Sequence, residues 1–189
     1  PKQEESRLKR MWMLALTLPL VLCGCAPTAR EPDQLALVRV LGVEGNSPVE
    51  LTAVCGMDKT DQTPIRGRCG GDTFAVALEG VPWSAFQELS LTSVSYLMVD
   101  TQVDLAQVLE DEELGATATV WLAQGDLSRM LEGCDDPEGD LTLLTHQGVQ
   151  APTVVEVLAA LTTRGRAELP QVEQRGGQLV QAGRWTWEE

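Results

Sequence analysis

The stretch that decides the fold is LALVRVLGV at residues 35–43, an almost continuous apolar run that only Arg39 interrupts. Such a run predicts a β-strand that is covered on both faces. The turn residues EGNSP at 44–48 and a second apolar run at 49–55 predict a hairpin partner for this strand. Residues 60–71 are polar and glycine-rich, so we expect a loop there.

Downstream of this hairpin, the chain alternates between helix and strand patterns. Residues 73–78 favour a short helix over a strand. Residues 91–99 and 117–123 predict strands because they are rich in β-branched and apolar side chains, and Trp121 is the largest core candidate among them. These segments predict a sheet whose strands are joined by helices.

Capping side chains mark the helix starts. Asp104 and Asp126 each precede an apolar helical pattern. Thr153 and Glu156 match a full capping box, ahead of an apolar face that ends at Gly165. We therefore expect three helices that begin at these caps.

The acidic stretch DDPEGD at 135–140 has its glycine at the wrong place for a calcium-binding loop and lacks the closing bidentate Glu. We expect a solvated turn there. Residues 169–174 and 178–187 predict a last hairpin around a turn at 175–177. The whole pattern predicts an α+β fold, a mixed β-sheet packed by several short helices in a single domain at residues 35–189.

Residues 1–24 have the form of a lipoprotein signal peptide. A cationic start precedes an apolar run that is too short to span about 30 Å of hydrocarbon. The run ends in LCGC at 22–25, and the small residue before Cys25 makes Cys25 the expected site of lipid attachment. The alternative is an ordinary secretory signal that ends in cysteines, and both alternatives predict export. Residues 25–34 would form a tether to the domain.

Charge and composition exclude several functions. The 189 residues include 14 basic and 28 acidic side chains, a formal net charge of −14, so we expect no nucleic-acid partner. The single histidine, His146, lies in an expected loop, and the chain has no P-loop, G-x-G-x-x-G, G-x-S-x-G or CxxC motif. We expect no metal, no cofactor and no catalytic residues, because a hydrolase would lack a nucleophile and its base.

Two residue pairs are candidate sites. Cys55 and Cys69 flank a polar loop, and a disulfide between them is about as expected as two buried free thiols. Trp185 and Trp187 share one face of the last strand because they are two residues apart. They form either a core or rim pair, or a docking face for a partner.

Three stretches, taken in their order, carry a resemblance to a known family. The first joins the lipobox, LCGC at 22–25, to REPDQLALV at 30–38 and LGVE at 41–44. The second runs from a strand at 95–99 through a helix to residues 116–126. The third joins APT at 151–153 to LPQV at 169–172 and GRW at 183–185. In this order they resemble the N-terminal region of Ger(x)C lipoproteins, the C subunits of bacterial spore germinant receptors.

The resemblance implies a non-catalytic domain on the outer face of a spore's inner membrane, held to the bilayer by the acylated Cys25. It would support nutrient-triggered germination through contacts with membrane-embedded receptor subunits, with Trp185 and Trp187 as candidate docking residues. The alternative is an unrelated surface lipoprotein that captures a ligand for a transporter. That function would need a deep pocket with a few convergent polar groups.

Overall fold

The computed structural model describes residues 35–57, 64–79 and 88–188. These ranges hold a sheet of short and long strands, five α-helices and one 3-10 helix at Leu91–Ser93. The strands are β1 (Leu35–Glu44), β2 (Val49–Met57), β3 (Pro64–Gly71), β4 (Glu88–Ser90), β5 (Tyr96–Val99), β6 (Thr119–Ala123), β7 (Arg166–Arg175) and β8 (Gln178–Glu188). The helices are α1 (Phe74–Glu79), α2 (Leu105–Leu109), α3 (Leu127–Gly133), α4 (Pro137–His146) and α5 (Val154–Arg164).

The strands form one mixed sheet in the order β3-β2-β1-β5-β6-β7-β8, and β4 pairs with the start of β1. The four central strands β1, β5, β6 and β7 run parallel to one another. The β2–β3 hairpin on one side and β8 on the other are antiparallel. Helix α2 connects β5 to β6, and α3 to α5 connect β6 to β7, as parallel neighbours require. The predicted α+β fold with a mixed sheet is confirmed.

Helices cover both faces of the sheet and divide the core into two apolar clusters. One cluster includes residues of α1, α2 and α5, and the other includes residues of α3 and α4. Leu41 and Val43 of β1 belong to the first cluster, whereas Val40 belongs to the second. Burial on both faces explains why the 35–43 segment is apolar without alternation. Trp121 is fully buried in the second cluster, as the sequence predicts.

Arg39, the one charge in this run, sits at a bulge. The register of β1 against β2 shifts between Val38 and Val40, so Arg39 has no opposite residue in β2. Its Nε donates to Glu138 Oε1 of α4 at 2.8 Å, and its Nη1 donates to the backbone carbonyl of Ser93 at 3.3 Å. The bulge thus lets a buried strand carry a charge that turns outward to a partner.

The prediction of a loop at 60–71 is wrong for residues 64–71. Residues Pro64–Gly71 form β3, which pairs antiparallel with β2. The strand lies at the edge of the sheet, where it completes the backbone ladder and needs few large core side chains. Three of its eight residues are glycine, so the side-chain alternation that would mark a strand is absent from the sequence.

The solvated turn expected at 135–140 is also wrong. The Asp136 carboxylate accepts a hydrogen bond from the backbone N–H of Gly139 at 3.0 Å and caps α4, with Pro137 in the first turn. Acidic residues and proline are favourable at a helix start, so the composition that indicates solvent also fits an N-terminus. His146, expected in a loop, is the exposed last residue of α4.

The expected helix starts are confirmed. The side chains of Asp104, Asp126 and Thr153 each accept a hydrogen bond from the backbone N–H three residues later. Of the strand expected at 91–99, only Tyr96–Val99 is extended, because Leu91–Ser93 forms the 3-10 turn. None of the helices in the described ranges is long and apolar enough to cross a membrane.

Candidate docking surface at the edge of the sheet

The hairpin of β7 and β8 builds the candidate surface. Gly176 and Gly177 adopt positive φ angles of 58° and 84°, which suit a two-residue hairpin turn. β8 pairs with β7 along its whole length, whereas β6 pairs with β7 only at Gln171 and Val172. The open end of the hairpin therefore extends past the β6 ladder. No strand in the described ranges pairs with the outer edge of β8.

The two tryptophans lie on one face of β8 at this open end. Trp185 is opposite Leu169 and Trp187 is opposite Ala167, and both partners on β7 are buried. Trp187 is half-buried and packs against the first core cluster, but 47% of Trp185 is exposed. The structure thus divides the pair: Trp187 is a rim residue of the core, and Trp185 offers apolar surface to solvent.

Two grooves flank the hairpin end. One groove, of about 460 Å³, runs between the start of α2 and the two tryptophans. The other, of about 750 Å³, runs between α5 and the first residues of β7, and its wall includes Thr163 and Arg166. Both grooves are partly open to solvent, so they suit the side chains of another protein better than an enclosed small molecule.

Three arginines lie near the open end of the hairpin, where Glu168 and Glu188 are exposed as well. Arg164 and Arg166 are exposed and form no ion pair with the part of the chain that the structure describes. Arg184 Nη2 donates to the backbone carbonyl of Gln150 at 2.9 Å. The arginines with an acidic partner are Arg39, Arg68, Arg129 and Arg175. Exposed tryptophan beside arginine is the composition typical of protein-binding hot spots.

The candidate disulfide between Cys55 and Cys69 is not formed, and both thiols are free. In the β2–β3 ladder Cys55 pairs with Ile65 and Cys69 pairs with Leu51, so four residues separate the cysteines along the ladder. At about 3.4 Å per residue along the strands and about 4.8 Å between them, their Cα atoms lie roughly 14–15 Å apart, against about 4.4–6.8 Å in a disulfide. Burial raises the pKa of both thiols to about 11.

Cys134 is a structural link and not a reactive thiol. Its Sγ donates to Asp140 Oδ2 at 3.2 Å, and the same oxygen accepts from the backbone N–H of Leu179 at 2.7 Å. Burial, together with the carboxylate of Asp140, raises the pKa of Cys134 to about 12. A thiol held protonated in this way ties α3 and α4 to β8 and makes a poor nucleophile.

Two acidic residues that the sequence analysis missed follow the ends of parallel strands. Glu44 Oε2 accepts hydrogen bonds from the hydroxyl of Ser128 at 2.8 Å and from its backbone N–H at 3.2 Å. Asp100 accepts from the backbone N–H groups of Gly45 and Val103, each at 3.1 Å. Both carboxylates are engaged in holding loops and the start of α3. The signal in the sequence that could have identified these two residues is an acidic residue at the end of an apolar strand.

The remaining site predictions concern metal ligands and the anchor. In the described part of the chain, no group of three His, Cys, Asp or Glu side chains is placed to hold a metal ion. Cys25, the expected lipid attachment site, lies outside the described residues, as does the whole expected tether at 25–34.

Of the comparisons with known proteins, the one with solved structures found a similar protein. No family model and no curated protein matches the chain. Among solved structures, the chain is similar to one described as the crystal structure of the GerBC protein, with 12% sequence identity and a TM-score of 0.40. The similarity covers 82% of this chain and 50% of the other, so the chain spans half the length of that structure.

Proposed function

We propose that this chain is a lipid-anchored, non-catalytic component of a spore germinant receptor, which supports nutrient-triggered germination through contacts with membrane-embedded subunits. The observation that carries the proposal is the ordered series of sequence motifs. In the fold, LGVE at 41–44 closes β1, residues 95–99 include β5, residues 116–126 include β6, and LPQV at 169–172 lies in β7. These four motifs therefore build the parallel centre of one sheet, whereas APT precedes α5 and GRW lies in the antiparallel strand β8.

Individual motif residues have physical roles in this sheet. A Cβ atom on Gly42 would lie 2.6 Å from Leu131 Cδ1 and 3.4 Å from Leu127 Cδ2. The glycine of LGVE thus lets α3 pack closely against β1. Thr153 of the APT motif caps α5, and the Glu156 carboxylate accepts from its backbone N–H at 2.8 Å. The series supports a shared architecture because its residues hold the strands and helices together.

The proposed anchor sets where the domain works. A tether over 25–34 would reach at most roughly 33–36 Å from the membrane surface. Residues 1–24 hold four basic and two acidic side chains, so their removal leaves a net charge of −16. Such a domain is repelled by anionic headgroups. Contacts with protein, centred on Trp185, would therefore orient it.

The non-catalytic part of the proposal has support from the described side chains. The three thiols are protonated at neutral pH because burial raises their pKa values. Glu44, Ser128 and Asp100, the buried or half-buried polar groups at the strand ends, bind one another or neighbouring backbone N–H groups. These groups are engaged in holding the fold, and the open end of the hairpin offers the exposed side chain of Trp185 for contacts with protein.

Deletion of the gene in a sporulating host tests the proposal. Spores that lack the protein should lose the response to the nutrients served by the neighbouring membrane subunits, and still germinate when a trigger bypasses nutrient receptors. Complementation with the unmodified chain or Cys23→Ser should restore the response, whereas Cys25→Ser should not. Unchanged nutrient responses in the deletion strain, or a gene beside transporter components, would favour the ligand-capture function.

A further inference from the structure

We propose that the outer edge of β8, which has no partner strand in the described ranges, pairs with β8 of a second copy of this chain, antiparallel and with its two-fold axis at Thr186. The pairing would join the two sheets into one. This inference goes beyond the proposed function and does not depend on it, because it rests on the backbone edge and the residue pattern of β8. The side chains of the tryptophans project from the face of the strand, whereas the pairing uses its edge.

The last part of the β8 edge, from Arg184 to Glu188, lacks most of the features that keep exposed strands apart. Natural edge strands carry lysine, proline or several charges, or they are short. β8 is 11 residues long, and its charged residues are Arg184 and Glu188. The hairpin has a bulge in β8 at Ala182, which has no opposite residue in β7, and this bulge precedes the stretch from Arg184 to Glu188. The opposite edge of the sheet is protected differently, since β3 begins with a proline and carries two arginines.

The sequence around Thr186 is complementary to itself in the antiparallel direction. A two-fold axis at Thr186 places Arg184 opposite Glu188 of the second copy, and Glu188 opposite its Arg184. The same register places Trp185 opposite the second copy's Trp187, and the two Thr186 side chains opposite each other. Opposite charges, aromatic pairs and threonine pairs are the cross-strand combinations that stabilise antiparallel sheets.

The rows of side chains that lie opposite one another across the two β8 strands continue into β7 of both copies. Glu188 already faces Arg166 across the hairpin, so it would lie between Arg166 and the second copy's Arg184. Trp185 already faces the buried Leu169, and the row would continue through the second copy's Trp187. Charge thus alternates along one row and apolar side chains fill the other. The second copy's Trp187 would lie beside Trp185 in this row, and the outer face of Trp185 would stay open.

Charge complementarity favours a second copy over another partner at this edge. The chain as a whole is strongly acidic, and two such molecules repel each other. The stretch from Arg184 to Glu188 is neutral, and its charges are ordered so that an identical strand matches them in both directions. A segment of another protein would need the same Arg–Trp–Thr–Trp–Glu pattern to make these pairs.

Cysteine cross-linking of the full chain tests the register. Residues opposite each other in an antiparallel pair have Cα atoms about 4.5–5.5 Å apart, which is within the range of a disulfide. We therefore expect Thr186→Cys to give a disulfide-linked dimer on mild oxidation, at least about five times the yield of the unmodified chain. The matched control is Glu188→Cys, whose two thiols would lie about four residues apart along the ladder and should not cross-link with each other.

Charge reversal in the Thr186→Cys background tests the pairing itself. We expect Arg184→Glu or Glu188→Arg to lower the dimer yield about ten-fold, because each reversal places two like-charged pairs across the axis. The double reversal should restore most of the yield because it restores both charge pairs across the axis, although Glu188→Arg faces Arg166 within the hairpin and Arg184→Glu loses the hydrogen bond to Gln150. Glu112→Arg, an exposed change away from the hairpin, should have no effect.

Three results would overturn the inference. The first is a yield for Thr186→Cys no higher than for Glu188→Cys. The second is a failure of the double reversal to restore the yield while the variant remains folded by circular dichroism. The third is a cross-link of Thr186→Cys to a protein other than this chain, which would assign the edge to a different partner. None of these results bears on the nutrient response of the deletion strain.

Discussion

Leu169 and Trp185 lie directly opposite each other on β7 and β8, yet Leu169 is fully buried and 47% of Trp185 is exposed. The helices that cover β7 do not extend over the end of β8. The end of β8 therefore contributes its backbone hydrogen bonds and the side chain of Trp187 to the core. The side chain of Trp185 remains largely outside the core. This asymmetry is the basis of the account of the hairpin as a docking surface.

Replacement of single tryptophans should separate core from surface. We expect Trp121→Ala to lower the free energy of unfolding by about 3–5 kcal/mol and Trp185→Ala by less than about 1 kcal/mol. Urea unfolding followed by circular dichroism measures both. An aqueous quencher should reach Trp185 and leave Trp121 protected. Similar losses for the two variants would assign Trp185 to the core and contradict its docking role.

The two glycines that end β3 should respond differently to alanine. A Cβ atom on Gly71 would lie 2.5 Å from the backbone nitrogen of Ala77, whereas one on Gly70 would lie 3.4 Å from its nearest neighbour, the carbonyl oxygen of Val49. Because backbone cannot move aside cheaply, Gly71→Ala should cost about 1–3 kcal/mol and Gly70→Ala much less. Equal unfolding midpoints for the two variants would contradict the close approach of α1 to β3.

Arg66 closes the end of α3. Its guanidinium donates to the backbone carbonyls of Leu131, at 2.9 Å, and of Cys134. Arg66→Leu leaves these acceptors without their donor and should cost about 1–3 kcal/mol in urea unfolding. Arg68 on the same strand forms exposed ion pairs with Glu50 and Glu132, and Arg68→Leu should cost less than about 1 kcal/mol. The reverse order would contradict the capping role.

Buried thiols should make the fold less stable in alkali. Burial raises the pKa of Cys55 to about 11 from an ordinary value of 9.0. The stabilisation is therefore complete below pH 9 and is lost as the pH rises towards 11, because the unfolded thiol ionises first. Unfolding free energies measured across this range should fall, and Cys55→Ala should reduce the slope. An unchanged slope in that variant would show that Cys55 is not buried as a thiol.

Long apolar runs and caps determine how much of this fold is predictable from sequence. The unbroken run at 35–43 predicts a strand buried on both faces, and Asp104, Asp126 and Thr153 predict helix starts, because these signals depend on neighbouring residues alone. β3 was not predictable, since a glycine-rich edge strand is stabilised by its ladder with β2 and shows no side-chain pattern. The sequence does not predict the start of α4 because an Asp-Pro step with further acids suits a turn and a helix start equally.

The candidate surface was predictable in part. Spacing alone places Trp185 and Trp187 on one face, but their different exposure depends on where the covering helices end. The separation of Cys55 from Cys69 follows from the β2–β3 register, and sequence gives no register for a strand that it does not reveal. The engagement of Glu44 with the start of α3 likewise depends on tertiary contacts.

Capture of the membrane subunits tests the central claim most directly. The full chain, isolated from the membranes of sporulating cells, should bring down the multi-spanning germination subunits. The Trp185→Ala, Trp187→Ala double variant should retain less than about a tenth of that capture, as expected when the central aromatic residues of an interface are removed. The control is Leu143→Ala on α4, an apolar side chain that is 55% exposed and should capture as the unmodified chain does. Full capture by the folded double variant, or equal loss in the Leu143 control, would contradict the account.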